Sequence, residues 1–338
     1  MPDSRRLDRI ASAFGMSRRA TTSSPQRAGW TVGRLSGRER FARAQGLISA
    51  FYGVILFLAV SQLYEWPGHL AATHFTPRWP VFWLRWVEPR IGISIILWLH
   101  LAAGVIGVAF SRYRIARAVV FLSLLEFLAF KFSFGSVNHG DHLGVLLSFV
   151  LIFLPSGWQA FPRAPRRVRA ATLSVFSGCQ GMILLIYSMS GMWKVGGVVE
   201  QLLLGETPYI APQGLAQQIA SKLLSEDSRT LLGPWLIDHW WVGWPLMVGA
   251  LYLEFFSLWM IARPSLHRSW GLGLIALHIS SHLTLGVGFA QNSLWLALFL
   301  VFSPFRPQQT SWPNSWRTML EELPLLGRWS QKISSQKP

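Results

Sequence analysis

Residues 91–110 read IGISIILWLHLAAGVIGVAF, 20 positions with no Asp, Glu, Lys or Arg among them. A helix of that length rises ~30 Å, the thickness of the hydrocarbon layer of a bilayer. This stretch is read as a membrane-spanning helix, and the rest of the chain repeats its pattern.

Outward from it, further apolar blocks occupy Gly46–Tyr64, Ile115–Phe132, Leu143–Trp158, Ala171–Met192, Gly243–Ile261, Trp270–Gly288 and Leu294–Phe305. With Ile91–Phe110 they predict an all-α, polytopic transmembrane helix bundle of about eight spans. The fourth and eighth blocks are short and need tilt, local thinning or burial in the bundle. The region from Val198 to Trp241 carries Pro208, Pro212 and Pro234 and mixes charge with apolar runs, so it reads as a long external segment. Within it, Leu215–Leu224 suits a helix lying along the surface. No internal repeat is visible.

Composition agrees. Charged residues make up 14% of the 338 residues, against about 25% in a soluble domain. The net charge is +16, but the Arg residues fall between apolar blocks, and no nucleic-acid reading motif is present. They bear on topology, and nucleic acid is not an expected partner; the lipid bilayer is. The 18 Trp suit aromatic belts at the two interfaces. A single cysteine, Cys179, rules out an intrachain disulfide and a multi-Cys metal site, and no metal site is expected.

Arg112, Arg114 and Arg117 follow the second block, and Arg163, Arg166, Arg167 and Arg169 follow the fourth. Arg263, His267 and Arg268 follow the sixth. Every second connection is basic, which places that side and both termini in the cytoplasm. Arg78, Arg85 and Arg90 lie on the opposite side, partly offset by Glu65 and Glu88. Residues 1–40 read as an Arg-rich disordered tail, 41–305 as the membrane domain and 306–338 as a cytoplasmic C-terminal tail. A bacterial inner membrane fits the short loops and low cysteine content.

Ionisable groups in or beside lipid are costly, so each raises a functional question. Lys194, in Ser190-Gly191-Met192-Trp193-Lys194, stands at the outer end of the fifth block. It reads either as a snorkelling lysine or as a desolvated amine able to act as a base. In Asn138-His139-Gly140-Asp141-His142, Asp141 suits an N-cap of the fourth span, which leaves His139 freer for chemistry. His278 and His282 are four apart and share a helix face in the seventh block. Glu254 is expected to bond across the bundle, Lys131 to snorkel outward and His100 to pack. Glu126 and Lys131 are five apart, a poor helical pair.

Three segments together carry a resemblance. Asn138-His139 leads into an apolar run ending at Leu154-Pro155. Tyr187–Val195, YSMSGMWKV, has an aromatic–x–x–small–Gly–x–x–Lys–apolar form. Gly271–Gly288, GLGLIALHISSHLTLGVG, precedes an apolar run ending at Ser303-Pro304. In this order and spacing they are similar to the membrane domain of vitamin K-dependent γ-carboxylases and to their bacterial relatives, the horizontally transferred transmembrane (HTTM) proteins. The resemblance covers about Arg38 to Pro304. It implies that Lys194 deprotonates a reduced quinone such as vitamin K hydroquinone. It also implies that His139 stabilises the substrate carbanion and that His278 matches a family histidine of the next-to-last span. Trp193 stands where the animal enzymes carry a lysine, and the large external domain that holds their peptide substrate has no counterpart here. Two functional expectations follow: an enzyme doing base chemistry on a lipophilic quinol, or a non-catalytic membrane protein for export, maturation or immunity of a secreted peptide.

Overall fold

The computed structural model describes residues 35–65, 75–135, 139–226, 230–305 and 322–324, and is all-helical among them. Among the described residues ten α-helices carry the fold: α1 (Gly37–Glu65), α2 (Pro89–Phe110), α3 (Arg114–Phe132), α4 (His142–Leu151) and α5 (Arg166–Leu203). They continue with α6 (Gly214–Glu226), α7 (Gly233–Asp238), α8 (Trp240–Phe255), α9 (His267–Leu285) and α10 (Ala290–Leu296). Three of them, α1, α2 from Arg90 and α5, are long and apolar enough to cross a membrane. The apolar helix α4 and the run Ala290–Val301 are shorter.

Each long helix begins or lies as its sequence dictates. Ser36 and Glu39 form a capping box at α1: the Ser36 N–H donates to Glu39 Oε2 at 2.7 Å, and the Glu39 N–H donates to Ser36 Oγ at 3.3 Å. The helix therefore starts at Gly37, ahead of the expected boundaries at 41 and 46. Phe41, Ala44, Ile48, Phe51, Tyr52, Ile55 and Ala59 face the core at helical spacing. On α2 the carboxylate of Glu88 accepts the Ile91 N–H at 3.0 Å. This helix buries Ile93, Ile96, Leu97 and Ala103 and leaves Ile91, Ile95, Trp98, Leu99, Val105 and Val108 exposed. A helix apolar on both faces suits lipid on one side and protein on the other.

The main core joins α1, α3, α4, α5, α9 and α10 around Phe51, Trp158, Phe176, Leu147, Trp295 and Phe299. Helix α10 continues into a wider π turn, Ala297–Val301, where the Phe302 N–H donates to Ala297 O at 3.0 Å. Gln180 of α5 donates to Phe299 O at 2.7 Å and to Ser303 Oγ at 2.8 Å. A carbonyl of that turn thus has a partner away from water.

A buried arginine ties the basic end together. Arg117 Nη1 donates to Ser111 O at 2.8 Å and Arg112 O at 3.2 Å; Nη2 donates to Ile152 O at 3.1 Å and Leu154 O at 2.6 Å. These carbonyls follow the C-terminal ends of α2 and α4, where helix dipoles present negative charge. The cation is compensated by dipoles, and among the described residues no carboxylate pairs with it.

Several expectations change. Asp141 holds the N-cap position of α4 but makes no capping bond; its carboxylate pairs with Lys131 at 2.5 Å. Lys131 therefore does not snorkel outward: a nearby carboxylate satisfies its charge better than a reach to water. Val198–Trp241 is not one irregular segment. Helix α5 runs on to Leu203, because nothing from Trp193 to Leu203 removes a backbone N–H, and α6 and α7 follow. Helix α6 covers the helix expected over Leu215–Leu224, with Ile219 and Ala216 turned inward. The sixth block breaks at Phe256 into a 3-10 turn over Ser257–Ala262. Residues 322–324 dock on the bundle: Tyr252 Oη donates to Pro324 O at 2.7 Å, and Ser265 Oγ donates to Glu322 Oε2 at 2.7 Å. Most of the two expected tails lies outside the described residues, as does Asn138.

Candidate functional site

The site grows from one face of α5. Tyr187, Gly191 and Lys194 are spaced four and three apart, so they stack along a single stripe. Gly191 decides what meets that stripe. A Cβ there would lie 2.3 Å from Phe255 N and 2.6 Å from Phe255 Cα. Only glycine lets the end of α8 approach so closely. Ser188 Oγ donates to Phe255 O at 2.8 Å, which satisfies a carbonyl left free where α8 ends.

This crossing delivers Glu254 to Lys194. Their side chains form an ion pair, and Ser190 Oγ lies 3.5 Å from Glu254 Oε1. The pair is asymmetric: the lysine side chain is 41% exposed and the glutamate 8%. The carboxylate is buried, and the ammonium is the half that reaches outward.

Two turns back along α5, about 10 Å along the axis, Tyr187 Oη hydrogen-bonds His278 Nε2 of α9. Both residues are buried. Phe289 covers the imidazole from the other side, with ring centroids 4.8 Å apart. It can do so because Gly286 ends α9 in the left-handed region, at φ +71°, and turns the chain back. Glu254 lies within electrostatic reach of Tyr187, and Lys194 within reach of His278. The two pairs thus share one stripe of α5 and bring together four titratable groups from three helices.

Tyr209 lies against the C-terminal part of α5. Its N–H donates to Gln201 Oε1 at 2.8 Å, and its ring edge packs against Gly197 of α5. The phenol oxygen is buried with no hydrogen-bond partner. Burial, with the Glu254 charge as a second cause, pushes this phenol above its ordinary range.

Of the three residues singled out in the sequence, two come together. Lys194 and His278 share the cluster through Glu254 and Tyr187. Lys194 lies inside α5 and does not follow it. His139 begins the turn His139–Asp141 that leads into α4, and this turn packs against α10. His278 and His282 separate: the first is buried and the second exposed. His100 packs as expected, stacked on Phe127 at 4.6 Å and bonded to Ser123 Oγ at 3.1 Å. Glu254 does bond across the bundle, as expected of it. Tyr187 was quoted only as part of a motif; its spacing of seven from Lys194 was the available signal. Gln180 and Tyr209 carried no local signal.

Comparison of the chain with protein-family models, with curated proteins and with solved structures found no match in any of the three.

Proposed function

We propose that this chain is an integral membrane enzyme of HTTM type, carrying out acid–base chemistry on a lipophilic quinol, with Lys194 as the base. The bundle would have about eight spans, with the basic connections and both termini in the cytoplasm of a bacterial inner membrane. The observation that carries the reading is the Lys194–Glu254 pair and the Tyr187–His278 pair on one stripe of α5. Four titratable groups with mutual partners are costly to assemble in lipid, and function is the common reason to keep them.

The chemistry of these residues fits a quinol such as vitamin K hydroquinone. Such a group supplies weakly acidic hydroxyls and reducing electrons. Lys194 accepts a proton only after its ammonium has passed one to Glu254, and the ion pair provides that route within one hydrogen bond. Tyr187 and His278 form a second donor–acceptor couple able to orient or re-protonate a phenolic oxygen. Met189, Met192 and Trp193, exposed on α5 beside the cluster, give a lipid-soluble molecule an apolar approach. His139 is proposed, from the family resemblance, as the group that would stabilise a carbanion.

A second reading has its own support. An ion pair can also simply compensate a buried carboxylate, which suits a non-catalytic protein handling a secreted peptide. Quinol epoxidation by purified protein in nanodiscs separates the two, with wild type compared against Lys194→Met and folding checked by thermal shift. Turnover that disappears in a folded Lys194→Met variant supports the enzyme. A well-folded wild type with no turnover overturns it and leaves the peptide-handling reading.

A further inference from the structure

Tyr209 is fixed by its backbone and by its ring, but not by its hydroxyl. Its N–H donates to Gln201 Oε1 at 2.8 Å, and the next carbonyl, Ile210 O, accepts from Trp244 Nε1 of α8 at 3.0 Å. Where α6 begins, a Cβ on Gly214 would collide with Tyr209 O, so glycine lets that helix start against this residue. Tyr209 is thus tied to α5, α6 and α8. Its phenol oxygen is nevertheless buried, with no hydrogen-bond partner among the described residues. A buried polar group normally has one, and leaving it unpaired is costly.

The position of the ring says what the hydroxyl is near. Ring atom Cε1 lies 3.8 Å from where a Cβ of Gly197 would stand. Gly197 is three residues beyond Lys194 on α5, and positions so spaced are neighbours on a helix surface, about 5–6 Å apart at Cβ. Cε1 is bonded to the ring carbon that carries the hydroxyl. The phenol therefore stands about one turn from Lys194. Burial, and secondly the Glu254 charge, raise it above the ordinary tyrosine range, so at neutral pH it keeps its proton and can donate.

We infer that Tyr209 is a substrate-binding residue whose O–H donates a hydrogen bond to the oxygen that Lys194 deprotonates. This rests on the quinol reading of the site. Once Glu254 has taken the ammonium proton, the quinol O–H bond breaks, its proton passes to the neutral amine of Lys194, and the electron pair stays on the oxygen. Tyr209 keeps its own proton, and its hydrogen bond strengthens as that oxygen becomes negative. A hydroxyl that holds no other bond has none to break when a ligand oxygen meets it.

Tyr209→Phe tests this, because it removes the hydroxyl and keeps the ring on Gly197 and the backbone bonds. Two probes are titrated anaerobically into wild type and variant in nanodiscs and followed by tryptophan fluorescence: menadione hydroquinone, which carries the oxygens, and methylnaphthalene, which lacks them. The variant should bind the hydroquinone about tenfold more weakly and methylnaphthalene as wild type does. Its thermal unfolding without probe should equal or exceed that of wild type, since no hydrogen bond among the described residues is lost. Equal affinity of the two proteins for the hydroquinone overturns the inference. So does an equal loss for both probes, which would make Tyr209 a packing residue. A wild type that binds the two probes alike removes the quinol reading and the role of Tyr209 with it. Quinol turnover that needs Lys194 but is unchanged in Tyr209→Phe overturns this inference alone and leaves the quinol reading standing.

Discussion

Lys194 and Glu254 are 60 residues apart in the chain and form an ion pair in which the carboxylate is buried while the lysine stays partly in water. Removing the lysine strands a buried charge, whereas removing both charges strands nothing. We expect Lys194→Met to cost roughly 2–4 kcal/mol, and Lys194→Met/Glu254→Gln distinctly less. Thermal unfolding in detergent measures this. A double variant no more stable than Lys194→Met would mean that the pair is not coupled.

Gly191 and Gly196 lie five apart on the same helix and should respond oppositely to alanine. At Gly191 the new methyl meets the backbone of Phe255, so α8 must shift, at a cost of about 3 kcal/mol or more. At Gly196 nothing lies within 4 Å. Alanine there gains up to ~1 kcal/mol of helix propensity. Similar melting shifts in the two variants would contradict the close α5–α8 crossing.

Arg117 holds four carbonyls at the ends of two helices. Methionine in its place removes the guanidinium donors of Ile152 O and Leu154 O, while Ser111 O keeps the Trp158 Nε1 donor, and lysine, a point charge, cannot span both pairs. Arg117→Met should lose about 3 kcal/mol or more, and Arg117→Lys should recover only part of it. Yield and melting temperature of the two variants provide the test, and a fully rescued lysine variant would refute the fork geometry.

His267 lies in the basic connection ahead of the seventh apolar block. Its Nε2 bonds Met260 O at 2.9 Å, so that nitrogen carries the proton; Nδ1 is buried without a partner. Burial lowers its pKa below the ordinary histidine value, with the Met260 bond opposing in part. The folded state thus holds the proton less tightly than the unfolded chain. Stability from this group is present above pH ~6.5 and declines as pH falls from there towards the folded value. Denaturant titrations from pH 7.5 to pH 5 should show a wild-type loss that is smaller in His267→Gln. Parallel slopes for the two proteins would exclude the effect.

The helical architecture was legible because apolar blocks of bilayer length admit few other structures. Lys194 and His278 were legible as ionisable groups in or beside apolar runs, and Glu254 as a group needing a partner across the bundle. Other local readings did not survive contact with the fold. Asp141 looked like a cap because capping is the local use of an Asp before a helix, but Lys131 offered it a full charge. Lys194 looked terminal because the apolar run stops at Met192, but helix continuity depends on backbone bonds and not on hydropathy.

The sequence by itself determined the helical character of the described residues, apolar stretches long enough to cross a membrane, and lysine and histidine in apolar surroundings where ionisable groups are costly. Only the tertiary structure decided which charges meet. Gly191 lets α8 come within backbone contact of α5, so Glu254 reaches Lys194; the left-handed turn at Gly286 folds Phe289 over His278. Local periodicity records the one-dimensional preference of each residue for lipid, protein or water. A partner 60 or 91 residues away is set by packing between helices, which no local pattern encodes.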